Sequence, residues 1–218
     1  MRGRLCVICV KMREPWGPNR SRVMANLLAV HSVGASLVTF LRNSYPVSLR
    51  TAHPCEFRLL SSGELAEPGN FETSLSLFLY RVSINEHLRN IPDRARGNGD
   101  GLVPLSLDLH YLMTVWAGSA LAEQLIIAWA MRQLYHHSVL DISSLSSEAE
   151  WNAGDIIQVL PGEVSTEDMM RIWDALDPPY RLSVSYVARV VRIDADRETD
   201  RRPVVATRFS VTEREAAR

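Results

Sequence analysis

The sequence predicts an α+β fold: one domain with a mixed, mostly antiparallel sheet and about three helices packed against it. Three observations carry that expectation. Apolar residues alternate along long runs at 74–83, 105–116 and 180–193, the period of a strand. Apolar residues recur at helical spacing from Met24 to Leu41, from Ala120 to His137 and after Ser165. The two kinds of segment are interspersed without regular βαβ repetition, and consecutive early strands argue for antiparallel pairing.

In chain order, Leu27, Val30, Gly34, Leu37, Val38 and Leu41 define the stripe of a first helix, and Pro46 and Pro54 mark the exit from it. Glu56–Leu60 reads as a short strand, followed by a loop at Ser61-Ser62-Gly63 and Pro68-Gly69-Asn70. Leu75, Leu77 and Leu79 alternate with Ser74, Ser76, Phe78 and Tyr80, which makes 74–83 a strand. Asn90–Gly101, with Pro92 and three glycines, reads as a mobile polar loop before the strand Leu105–Trp116. The second helix, 120–137, is apolar over a wide arc, Leu121, Leu125, Ala128 and Trp129 being widened by Ile126, Ile127, Ala130, Met131 and Leu134. Such a helix is expected to pack on more than one side, against a sheet or another subunit. Ser143–Ala153 reads as a polar loop and Asp155–Leu160 as a short strand.

Ser165-Thr-Glu-Asp168 is a capping box for the third helix, whose stripe is Met169, Ile172, Trp173 and Leu176 and whose stop is Pro178-Pro179. In the strand 180–193, alternation puts Leu182, Val184, Tyr186, Ala188 and Val190 on one face. Ser183, Ser185, Val187, Arg189 and Val191 fall on the other. A charged turn at Asp194–Arg202 precedes a last strand at Pro203–Val211 and a frayed tail.

Composition narrows the function classes. The chain has 218 residues, 46% of them hydrophobic, and a net charge of −1, so nothing in its charge calls for nucleic acid or an anionic membrane. Lys11 is the one lysine among 24 basic residues. Cys6, Cys9 and Cys55 are odd in number and no second pair comes after Cys6-Val-Ile-Cys9, so neither a disulfide framework nor a zinc ribbon is expected. The run Leu5–Val10 is short and ends at Lys11, which makes a poor signal peptide, and no stretch approaches the roughly 20 apolar residues of a membrane span. The expectation is synthesis in the cytoplasm. Residues 1–23, with Pro15, Gly17 and Pro18 and a crowd of arginines, contrast with the regular apolar pattern that begins at Met24. They read as a disordered extension or a mis-called start.

The one constellation with chemical potential is LSLDLHYLMTV, residues 105–115. Asp108 and His110 lie two apart on one strand face, and His136 and His137 come one helix later. A metal site needs three or four converging ligands, and adjacent helical residues diverge by about 100°, so one of the two later histidines at most reaches any given centre. A histidine at a helix C-terminus is also favourable without metal. HExxH, HxH, GxSxG, GxxxxGK[ST] and GxGxxG are absent, and Gly97-Asn-Gly-Asp-Gly101 lacks the ligand set of an EF-hand. Glu163, Glu167 and Asp168 are explained by capping. Tyr80, Tyr111, Trp116 and Tyr186 sit among aliphatics and read as core or interface. A small metal-dependent enzyme or ligand-binding domain using Asp108 and His110 is the alternative function. The expectation is no catalytic residue, no metal and no cofactor.

The ordered series is more specific than any residue. LSLFLYRVSINEHLRN (75–90), PLSLDLHYLMTVW (104–116), MRQLYHHSVLD (131–141) and STEDMMRIWDALDPPYRLSVSYVARVVRID (165–194) succeed one another, after a helix that opens at Met24-Ala-Asn-Leu-Leu-Ala-Val30. This series resembles the tail-terminator or cap family of extracellular contractile injection systems, phage-tail-like particles of the antifeeding-prophage and Photorhabdus-virulence-cassette type. The resemblance covers about residues 24–211 and leaves 1–23 outside.

It implies a terminator-like domain at 24–194, with a C-terminal turn, an edge or inter-subunit strand and a tail in 195–218. It implies a non-catalytic ring, expected as six copies, on the end of the inner tube and sheath farthest from the baseplate. The ring would end polymerisation, couple tube to sheath and be incorporated into the particle, with no nucleic-acid partner and no membrane insertion. A terminator-like domain reused as an adaptor is a further alternative. Arg89, Arg94 and Arg96 around the long loop, and Arg189, Arg192, Arg197, Arg201 and Arg202 around the last turn, read as solvated loop charges or subunit contacts.

Overall fold

A computed structural model describes residues 25–66, 72–85, 105–152, 154–176 and 178–193. The expectations for residues 1–23 and Met24, the loop Asn90–Gly101, the strand Pro203–Val211 and the tail lie outside these residues.

The sheet is built around the longest alternating run. β1 (Glu56–Leu60), β2 (Ser74–Ile84), β3 (Leu105–Trp116), β4 (Val139–Leu140), β5 (Ile157–Pro161) and β6 (Ser183–Ile193) form one sheet in the order β1-β2-β3-β6-β5-β4. β1 runs parallel to β2, and every other pairing is antiparallel. This is the mixed, mostly antiparallel sheet that the sequence predicts. The one parallel pair needs a crossover. It is made by the segment after β1, in which Ser62–Ala66 forms a short helix, α3, where the sequence suggested only loop.

The first face of β3 presents Leu107, Leu109, Tyr111, Met113 and Val115, all buried. Against it lie α1 (Ala29–Ser44) and α4 (Ala120–His136); a short α2 (Val47–Ala52) links α1 to β1. α1 begins at Ala29, later than the stripe from Met24 suggested. Asn26 Oδ1 accepts the Leu28 N–H at 2.8 Å, a side-chain turn that competes with helix, and Leu27 is left exposed. Its inner residues Val33, Gly34, Leu37, Val38 and Leu41 are buried as expected. Gly34 admits the close approach of β1: a Cβ there would stand 2.8 Å from Leu59 Cδ1.

The polar segment after β4 is not merely loop. Leu145, Ala149 and Trp151 are buried in the main core. Trp151 Nε1 donates to Ser32 Oγ at 3.0 Å, and the Ser146 N–H donates to Ser36 Oγ at 2.8 Å. Two serines on the inner side of α1 thereby satisfy groups that would otherwise be buried without partners.

α4 differs from expectation in the opposite sense. Ser119 caps it, accepting the Ala122 N–H, and Ile126, Ile127, Trp129, Ala130 and Leu134 face the core. Its other side is open: Leu121 is 67% exposed, Tyr135 78% and Met131 40%, with Ala128 exposed between them. The expected second packing partner is not within the chain's described residues.

α5 (Thr166–Asp174) covers part of the second sheet face. Ser165 caps it as the sequence predicts, its Oγ accepting the Asp168 N–H at 3.0 Å. Trp173 is buried with Leu60, Leu65, Leu112 and Trp116, and Met169, Ile172 and Leu176 pack on that cluster. α5 therefore covers the Leu112–Trp116 half of β3, and among the described residues no helix lies over the Asp108–His110 half of that face.

Candidate functional site: the polar half of the second sheet face

Two bulges shape this half-face. Between β2 and β3 the register shifts at Tyr80, so that Leu79 opposes Tyr111 but Arg81 opposes His110. Between β3 and β6 it shifts at Asp108: Leu109 opposes Ala188, yet Leu107 opposes Val191, so Arg189 and Val190 together face one residue. The bulge corrects the simple alternation read for β6. Tyr186 and Ala188 point into the main core, and beyond the bulge it is Val191, not Val190, that does so, with Ile193 packed on the same core.

Asp108 holds that bulge. Its Oδ1 accepts the Val190 N–H at 3.1 Å, and the Asn85 side-chain amide donates to both carboxylate oxygens at 3.1 and 3.2 Å. Val190 has φ 67°, a left-handed conformation that a β-branched residue rarely adopts. The carboxylate gives this residue's N–H the acceptor that the broken ladder withholds. Asp108, which the sequence offered as half of a possible metal site, is half-buried and engaged by its own fold.

His110 sits beside it. Its Nε2 lies 2.9 Å from Ser83 Oγ, and its ring meets Tyr80 edge-on at 6.0 Å. Tyr80 itself reaches Ser185 Oγ at 3.0 Å. Burial, then the positive charge of Arg81, and more weakly Arg189, hold the imidazole below its usual 6.5 against the opposing pull of Asp108. The unfolded chain therefore takes up this proton first as pH falls. The stability contribution is complete above about 6.5 and is lost as pH falls through the lower folded value. A thermal melt at pH 5.5 should lie slightly below that at pH 7.5, and His110→Gln should shrink the difference; an unchanged difference contradicts the assignment.

The other expected ligands do not converge here. His136 and His137 lie at the end of α4, on the opposite side of the sheet. His137 packs on Phe40 at 5.3 Å, and its Nδ1 lies 3.2 Å from Gln133 O. Among the described residues, no three His, Cys, Asp or Glu side chains are grouped to hold a metal ion. Burial pushes the Cys55 thiol up to about 12, away from a nucleophilic thiolate. No helix among the described residues is long and apolar enough to cross a membrane. Sequence reasoning missed the two bulges and Asn85. The adjacent Val190-Val191 pair, which breaks the alternation of β6, was the available signal for one of them.

What this half-face offers is charge. Arg81 and Arg189 are exposed on the two strands flanking β3, on the side of His110, and neither has an ion-pair partner among the described residues.

Solved structures with the same fold are particle components. One is the sheath/tube terminator of an extracellular contractile injection system, PVC, in its extended state. It matches with a TM-score of 0.55 and 19% identity over 88% of this chain and 65% of that one. Another is the tube-terminating cap of the anti-feeding prophage, AFP, with a TM-score of 0.53 and 16% identity over 88% of this chain and 63% of the other. At such identities the likeness is one of fold, and the chain spans just under two thirds of the length of each. No curated protein matches the chain. A family model, the Pvc16 N-terminal domain, matches residues 32–207, most of the sequence, and the chain belongs to that family.

Proposed function

We propose that this protein is the terminator or cap subunit of a contractile phage-tail-like particle. It forms a ring, expected as six copies, on the end of the tube and sheath away from the baseplate, where it stops their polymerisation and joins one to the other. The observation that carries the reading is the family match across 32–207, on a fold shared with a sheath/tube terminator and a tube-terminating cap. The role is structural and needs no cofactor. It asks for a rigid sheet with surfaces to spare, and the chain has both. One sheet face is covered by α1, α4 and the segment after β4, while the outer side of α4 leaves Leu121, Met131 and Tyr135 in water, an apolar stripe suited to a subunit or tube contact.

The enzyme alternative asks Asp108 and His110 to be free for chemistry. Asp108 is occupied in holding the β6 bulge and His110 is paired with Ser83, so that alternative has no observation in its favour.

Gold labelling of a tagged full-length chain in assembled particles tests the placement. Label confined to one end, opposite the baseplate, is expected. Label along the shaft, or at the baseplate, would contradict it.

A further inference from the structure

We infer that neighbouring subunits of the ring join head to tail, the outer side of α5 from one copy seating on the Arg81–His110–Arg189 face of the next. The inference rests on the ring reading above and adds which two surfaces meet.

The first observation is charge. α5 and its approach carry Glu163, Glu167, Asp168 and Asp174 against the single Arg171. Glu163 and Asp174 are exposed with no ion-pair partner among the described residues, and Glu167 is held only by an exposed pair with Arg171, which is easily exchanged. The other half of the same sheet face carries Arg81 and Arg189, and among the described residues Asp108 is the carboxylate beside them. That carboxylate is already bonded to Asn85 and to the Val190 N–H. The two halves are complementary, and they cannot meet within one chain because α5 is fixed to the sheet by Trp173.

The second observation is spacing. Glu167 and Asp174 are two turns apart on the outward side of α5, about 10 Å along the axis. Arg81 opposes His110 and Arg189 lies two strands across at the level of Asp108, a separation of about 12 Å, close to that of the two acids. Met170, 39% exposed, lies between the two acids, where it meets the Tyr80–His110 aromatic pair.

The third is topology. The two surfaces are different patches of one molecule, so the contact is heterologous, the kind that closes a ring when its rotation divides the circle. Ion pairs at such a contact fix register and partner more than they add raw affinity.

Native mass of the full chain across a concentration series tests this. Three variants are compared with wild type: Arg81→Glu/Arg189→Glu, Glu167→Lys/Asp174→Lys, and the four substitutions together. All four sites are exposed, so each variant should melt close to wild type, apart from a small loss at Glu167, which stands in the first turn of α5 and pairs with Arg171. Each double variant should weaken ring formation at least about tenfold, and the combined charge swap should restore it. A ring that survives both reversals sinks the contact while leaving the ring. A wild-type chain that stays monomeric at every concentration sinks the ring and the contact with it. A reversal that lowers the melting temperature and leaves the ring mass unchanged would mean the arginines are answered within their own chain, and overturns the proposal.

Discussion

Trp173→Ala should cost about 3–5 kcal/mol of stability, the range for emptying a buried large aromatic. Trp173 is 3% exposed and is the largest side chain that α5 contributes to the second cluster. It meets Trp116 at 6.1 Å and Tyr180 at 6.0 Å, both edge-on. α5 has nine residues, too short to persist as a helix without packing. Its capping box sets where it starts, but the apolar stripe keeps it on the sheet. Losing Trp173 should therefore release the helix as well as leave a void, and expose Leu112 and Trp116. For a chain of this length the melting temperature should fall on the order of 10 °C. Hydrogen exchange should show α5 unprotected while β3 stays protected. A drop below about 1 kcal/mol would mean that α5 is not anchored as described.

Asp108→Ala should be the most damaging polar substitution, at about 2–3 kcal/mol. It removes the acceptor of the Val190 N–H and both carboxylate oxygens to which the Asn85 amide donates, at a place where Asn85 is itself 8% exposed. Val190 then holds φ 67° without the acceptor of its N–H. The consequence is larger than one hydrogen bond, because the bulge sets parity. Without it, a one-residue slip turns Val191 and Ile193 out of the core. Asp108→Asn keeps one acceptor oxygen and should cost markedly less. Urea unfolding of the two variants, with exchange of the Val190 amide, separates the effects. Equal losses for Ala and Asn would argue that the negative charge, not the bulge geometry, is what matters.

These two residues also show what the sequence made legible. Trp173 was readable as core because four apolar residues at helical spacing come after a capping box and end at two prolines. β2, β3 and β6 were readable because eleven or twelve residues give a period-2 pattern room to repeat. Asp108 was visible as unusual in a strand, but its role was not. Its partners are a backbone N–H 82 residues away and an asparagine 23 residues before it, and no local pattern encodes either.

The elements missed were those with too few residues to show a period: α2 with six, α3 with five and β4 with two. Trp151 was hidden in a serine-rich stretch, because a single apolar residue in a loop carries no periodicity. Its burial depends on Ser32 of α1. The breadth of α4's apolar surface was legible and its orientation was not. The tertiary fold alone decides that Ile126 and Ala130 go inward and Leu121 and Tyr135 stay outside.

The family series in the sequence and the family model over 32–207 agree on what kind of domain this is. The domain is proposed to end a growing tube and sheath. The length distribution of particles, measured by electron microscopy after assembling tube, sheath and baseplate with and without this chain, decides whether it does. A narrow distribution is expected with the chain, and long, ragged, open-ended tubes and sheaths without it. Particles of the same uniform length in both preparations would contradict it.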